Sequence, residues 1–129
     1  MIGTPLDVAY PKKNAELQAE IAEDHLLVSQ FKPGTRTYPS NFPQRNRTMA
    51  LLSDATVIVE AGEKSGTIHQ GWEALRLGRR LLIMDSLYQV GFDWVDTFIG
   101  YGAEVLSQSN FEAFVEDLPL GRFLFAEPF

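Results

Sequence analysis

The chain has 129 residues, 45% hydrophobic and 12% aromatic, which suits one folded domain with one core and argues against global disorder. Cysteine is absent, which removes disulfides, thiolate metal sites and a cysteine nucleophile together. Seventeen acidic against 11 basic residues give a formal charge of −6, the wrong balance for a protein that binds nucleic acid by bulk charge.

In chain order, Met1-Ile2-Gly3-Thr4-Pro5-Leu6 looks like a strand end running into a loop that closes at Tyr10-Pro11. Asn14 can cap a helix whose apolar positions Leu17 and Ile21 recur at helical spacing through Glu23. Leu26 to Phe31 is short, apolar and followed by Pro33-Gly34, so it reads as a strand. A polar loop follows from Lys32 to Asn41. A helix then begins near Pro43 and is expected to bury Met49, Leu51 and Leu52. The β-branched run Thr56 to Glu60 is typical of a central parallel strand. Gly62 to Gly66 forms a tight turn, a helix spans about Thr67 to Leu77 and stops at Gly78, and Leu81 to Met84 is a buried strand. Helices near Trp94 to Ile99 and Asn110 to Asp117 complete the series.

Strands alternating with helices of this length imply an α/β fold: a parallel sheet with helices on both faces. The domain is expected over residues 1–118, with an apolar tail over 119–129 that carries Phe123, Phe125 and Phe129. No run of about 20 apolar residues occurs and no charged-then-apolar leader opens the chain, so no membrane contact is expected and the cytoplasm is the expected location.

Charge is segregated. Between Asp24 and Asp54 there is no acidic residue, while Lys32, Arg36, Arg45 and Arg47 all fall there. Arg45 and Arg47 bracket Asn46 near a helix start, where guanidinium forks and free backbone N–H groups favour anions. The structural alternative is that both arginines pair with carboxylates and Asn46 caps a turn. Phe42 packs in the core or serves as a base-stacking platform. Ser65-Gly66-Thr67, after a strand and a glycine turn, offers backbone N–H groups to phosphate at the carboxyl end of a strand; its alternative is a plain capped turn. The two histidines, His25 and His69, lack a partner at metal-ligand spacing, so no metal and no cofactor is expected, and no catalytic residue stands out.

Read together, these segments resemble the DprA/Smf family. Gly3-Thr4-Pro5-Leu6-Asp7-Val8-Ala9-Tyr10-Pro11-Lys12-Lys13-Asn14 is similar to its G-x-G-L-D-x-x-Y-P-x-x-N stretch. Leu27-Val28-Ser29-Gln30-Phe31 with Pro33-Gly34 resembles its next strand and loop, and Phe42-Pro43-Gln44-Arg45-Asn46-Arg47 matches F-P-x-R-N-R, the most specific motif. Val57 to Ala61, Ser65-Gly66, Gly78-Arg79 and Gly102-Ala103 follow at family spacing. The resemblance implies a Rossmann-like fold, a partial core of the DprA type, and a single-stranded-DNA-binding module of DNA uptake and recombination. It also implies contact with the RecA recombinase and homodimerisation. By the same resemblance Arg45 and Arg47 contact phosphates, Asn46 orders the loop, and Ser65-Gly66-Thr67 walls an anion pocket; Lys32 and Arg36 fall where the basic strip would continue, though no family motif fixes them.

The family's first half, with its G-S-R turn, has no counterpart in this sequence, so a fragment or a shortened homologue is expected. Gln30 stands where the family has Glu. Ile68-His69-Gln70 replaces the segment ending in a hydroxyl, and Met84-Asp85 replaces proline-glycine. The rival reading is a nucleotide sensor or a nucleotide phosphoribohydrolase of the same superfamily. The enzyme's P-G-G-x-G-T-x-x-E loop, however, is not reproduced at Glu60 to His69, where the glycine pair and the later Glu are missing.

Overall fold

The structure, a computed structural model, describes residues 1–118; the expected tail at 119–129 lies outside the described residues. The chain divides into two compact units, Met1–Leu52 and a second beginning at Ser53.

In the first unit a 3-10 turn, Lys12–Asn14, leads into helix α1, Ala15–Asp24, and helix α2 spans Asn41–Leu52. Asn14 stands at the start of α1 but its side chain makes no capping bond. The preceding turn already holds its backbone near the helical region, not in the extended geometry a cap requires. Leu26 to Phe31 is not a strand. The Ile2 N–H donates to the Val28 carbonyl at 2.9 Å, but the Ser29 hydroxyl donates to the Thr4 carbonyl and accepts the Phe31 N–H. A local side-chain bond takes the place of the ladder.

α2 carries Pro43 in its first turn, as expected. Its covered side differs from the expectation. Phe42, Arg45, Asn46, Met49 and Ala50 follow the three-and-four spacing of one helix face and are half-buried or buried, whereas Leu51 and Leu52 are exposed. Successive helical residues point about 100° apart, so the two leucines following buried Ala50 rotate off its face.

The second unit is a parallel sheet of β1, Ala55–Ile58, β2, Arg80–Met84, and β3, Glu104–Leu106, in the order β1-β2-β3. Ile58 registers with Ile83, and Met84 with Leu106. Among the described residues β1 is an edge strand, not the central one expected, and Val57 and Val59 are exposed. β-branched composition reports fitness for a strand and does not specify how many neighbours that strand has. β2 holds the centre: Leu81, Leu82 and Ile83 are all buried, so both its faces are covered.

The crossover from β1 to β2 is α3, Gly66–Arg76, which ends at Gly78 in the left-handed region, φ +64°, with the Arg79 N–H returning to the Ala74 carbonyl at 2.9 Å. From β2 to β3 run a short α4, Asp85–Tyr88, and α5, Asp93–Gly100. α3 and α5 lie on the Ile58 face. A Cβ at Gly71 would come within 2.6 Å of Phe98 and 3.2 Å of Ile58, so Gly71 permits that close packing. Phe98 is the centre of this core, fully buried, with Trp72 and Trp94 edge-on to it at 4.8 and 5.4 Å. On the other face Leu82 lines a recess with Ala113 and Phe114 of α6, Phe111–Asp117. Arg80 pins that helix: its guanidinium lies 4.3 Å from the Phe114 ring and bonds both Glu104 and Asp117.

Candidate functional site

The basic segment lies in the first unit and is shaped by short-range hydrogen bonds. The Lys32 carbonyl accepts from the Thr35 N–H and hydroxyl, closing a turn around Gly34, whose φ of +79° favours glycine. The Gly34 N–H donates to Asp7 at 2.8 Å, so the aspartate of the first motif holds the loop that carries Lys32 and Arg36. Both cations are exposed. Arg36 lies over the Tyr38 ring, 5.4 Å from its centre.

At the start of α2, Arg45 and Asn46 are half-buried and Arg47 is exposed. The Arg45 Nε donates to Asn46 Oδ1 at 2.8 Å and an Nη reaches the Met1 carbonyl at 3.5 Å. Asn46 therefore fixes the arginine beside it. The same guanidinium lies 6.0 Å from the centre of the Phe42 ring. Two guanidinium–ring pairs, Arg36 with Tyr38 and Arg45 with Phe42, thus stand in one segment free of acidic residues. Phe42 is half-buried, and its ring packs over Gly3, where a Cβ would come within 2.7 Å of Cδ1. Tyr10 stands 5.7 Å from Phe42 with the rings tilted by 49°.

Phe42, Tyr10, Thr37, Tyr38 and Pro39 line an open recess of about 440 Å3. Sequence reasoning assigned no site role to Tyr10, Thr37 or Tyr38. Tyr10 is far from the others in the chain, but Tyr38, two residues past Arg36 in a basic, acid-free stretch, carried the interleaved cation–aromatic signal of a single-strand binder.

Ser65, Gly66 and Thr67 belong to the second unit. The Ser65 N–H closes a turn onto the Gly62 carbonyl at 3.0 Å, and its hydroxyl accepts the Thr67 N–H at 3.2 Å. Ser65 is therefore a helix cap, and part of its hydrogen-bonding capacity is committed. Gly66 is exposed, and beyond its chain neighbours and its own helix backbone nothing lies within 4 Å of where a Cβ would stand. His25 and His69 are both exposed. Among the described residues no group of three or more His, Asp or Glu could hold a metal ion, and no helix is long and apolar enough to cross a membrane.

A three-stranded parallel sheet with helices on both faces and a capped helix leaving its first strand defines a Rossmann-like α/β protein. Within that class the chain belongs to the DNA recombination-mediator protein A family, whose model matches residues 1–118; the resemblance read from the motifs is borne out. The chain is 31% identical over 121 residues to DNA processing protein DprA of Bacillus subtilis, covering 93% of this chain and 40% of that one. It is 42% identical over 79 residues to DprA of Streptococcus pneumoniae, covering 61% of this chain and 28% of that protein. The solved structure of the pneumococcal DprA superposes with a TM-score of 0.69 at 35% identity, over 87% of this chain and 40% of that one. A structure of DprA from Helicobacter pylori, described for its single-stranded-DNA binding mode, shares the fold at TM-score 0.69 and 24% identity, over 88% of this chain and 52% of that one.

Proposed function

We propose that this chain is a single-stranded-DNA-binding part of a DNA-processing protein, acting in the cytoplasm in DNA uptake and recombination and binding without turnover. The observation that carries the reading is the pairing of each of two guanidinium groups with an aromatic ring in a segment devoid of carboxylates. Arg36 and Arg45 offer charge to phosphates while Tyr38 and Phe42 offer π-faces to bases, the two contacts that hold a single strand without regard to its sequence. Lys32 and Arg47 add exposed charge to the same segment. The exposed start of α3 at Gly66 is a further place for a phosphate, with Ser65 and Thr67 shaping it. Family membership and the single-stranded-DNA binding described for the H. pylori relative support this reading. Contact with a RecA recombinase and self-association, both implied by the family, belong to the same proposal.

The test is fluorescence anisotropy of a labelled oligothymidylate titrated with the chain at several salt concentrations, beside Arg36→Ala/Arg47→Ala. Single strands release about 0.7 counterion per phosphate contact. The double variant is expected to bind about 10-fold more weakly and to flatten the slope of log K against log salt by about 1.4. Equal slopes in both proteins would remove these arginines from the interface.

A further inference from the structure

Gln30 is held on both flanks. The Ile2 N–H donates to the Val28 carbonyl at 2.9 Å, and the Ser29 hydroxyl donates to the Thr4 carbonyl at 2.7 Å while accepting the Phe31 N–H at 3.1 Å. The Gln30 side chain then crosses to α2, where its Oε1 accepts the Thr48 hydroxyl. The same hydroxyl lies 3.2 Å from the Gln44 carbonyl one turn earlier. Thr48 follows Arg45 by three residues and adjoins Arg47, and side chains three apart on a helix are neighbours at about 5–6 Å. A second route closes the circle: an Arg45 Nη reaches the Met1 carbonyl at 3.5 Å, beside the Ile2 N–H that bonds Val28. Gln30 and Arg45 therefore share one face of the first unit.

Fixing the amide oxygen orients the whole group. Oxygen and nitrogen stand on opposite sides of the amide carbon, so the NH2, with its two donors, turns away from Thr48. Gln30 is exposed, and among the described residues its Nε2 donates to nothing. No Asp or Glu occurs from His25 to Ser53, so the segment supplies no carboxylate to this amide or to the guanidinium groups beside it. An oriented, uncharged double donor next to arginines fits an anionic oxygen. Gln side chains join Arg and Lys in contacts to the phosphates of nucleic acids.

We propose that Gln30 is a phosphate-contacting residue of the single-strand interface: Thr48 orients its amide, and the amide N–H groups donate to a backbone oxygen of the strand beside Arg45 and Arg47. The contact rests on the single-stranded-DNA reading above and adds to it a neutral donor, which tightens binding without releasing a counterion. Its signature is a change of affinity at constant salt slope, unlike that of an arginine.

The experiment uses labelled oligothymidylate and a fully abasic deoxyribose-phosphate oligomer of the same length, each titrated at several salt concentrations. The proteins are the unaltered chain, Gln30→Ala, Gln30→Glu, Thr48→Val and Gln30→Ala/Thr48→Val, with thermal unfolding as a check on folding. Gln30→Ala is expected to bind both oligomers about 5-fold more weakly with the salt slope unchanged. Thr48→Val, which keeps the shape and removes the hydroxyl, should lose no more than that, and the double variant should add nothing to Gln30→Ala. Gln30→Glu keeps the length and the bond from Thr48 but exchanges two donors for a negative charge. It should lose about 20-fold at low salt, the loss narrowing as salt screens the repulsion. Unchanged affinity in folded Gln30→Ala and Gln30→Glu overturns the contact and leaves Gln30 as a brace for α2. Losses that add in the double variant overturn the orienting role of Thr48. A Gln30→Ala loss on oligothymidylate that is absent from the abasic oligomer overturns the assignment to phosphate. Absence of salt-dependent binding to either oligomer by the unaltered chain overturns the proposed function, and this contact with it.

Discussion

The two units of the chain are held together by different physics. From Ser53 onward, order comes from burial: Ile58, Leu81, Leu82, Ile83, Val95 and Phe98 are closed off from solvent between a parallel sheet and its helices. In Met1–Leu52, α1 buries no residue and α2 buries only Asn41 and Ala50. Order there comes from side chains bonded to backbone: Thr4 to Val8, Ser29 to Thr4, Asp7 to Gly34, and Gln18 to Leu6. A core contributes stability through apolar area removed from water, whereas such hydrogen bonds give about 1 kcal/mol each and mainly fix geometry. The unit with the weaker core carries Lys32, Arg36, Arg47, Tyr10 and Tyr38 on its surface. Its side-chain bonds hold the loop of Lys32 and Arg36 and the Arg45 guanidinium in position.

The largest effect that tests this contrast is on the core. Phe98→Ala removes the ring on which Trp72 and Trp94 both pack and is expected to cost about 3–5 kcal/mol. Both tryptophans of the chain lie in the second unit, so denaturant unfolding followed by their fluorescence reports that core. A loss under about 1 kcal/mol would mean that Phe98 is not its centre. A smaller effect is expected at Gly3, where an added Cβ would come within 2.7 Å of Phe42. Gly3→Ala is expected to cost about 1–3 kcal/mol by displacing that ring. Hydrogen exchange should quicken along α2 while β2 keeps its protection. Loss of protection in both units would show that the chain opens as one cooperative body and not as two.

What was legible in the sequence follows the same division. Leu81-Leu82-Ile83 announced itself as a buried strand because a strand covered on both faces is apolar at every position, and Gly78 marked the end of α3 through the left-handed turn it adopts. β3 and α4 were not anticipated, being only three and four residues long, too short for a periodicity to show. In the first unit hydropathy misled. Leu51 and Leu52 raised an apolar signal but face solvent, and Leu26 to Phe31 lost its ladder to the Ser29 hydroxyl. The family motifs were the reliable guide there, because Asp7, Ser29 and Asn46 act through specific bonds that a hydropathy pattern does not register. The same holds for the recess. Tyr10 and Phe42 are 32 positions apart, and nothing in either segment alone shows that their rings meet.

The smallest expected effect separates the two meanings of Ser65. Its hydroxyl accepts the Thr67 N–H at the start of α3, so Ser65→Ala is expected to cost about 1 kcal/mol and Ser65→Gly only a few tenths. If Ser65 acts only as a cap, both variants bind oligothymidylate as tightly as the unaltered chain once they are folded, and only the denaturation midpoint moves. If the helix start also holds a phosphate through its hydroxyl, both variants lose affinity to a similar degree while their stabilities differ. The order of the two variants in stability, set against their order in affinity, thus decides whether the second unit contributes a ligand contact or only a well-terminated helix.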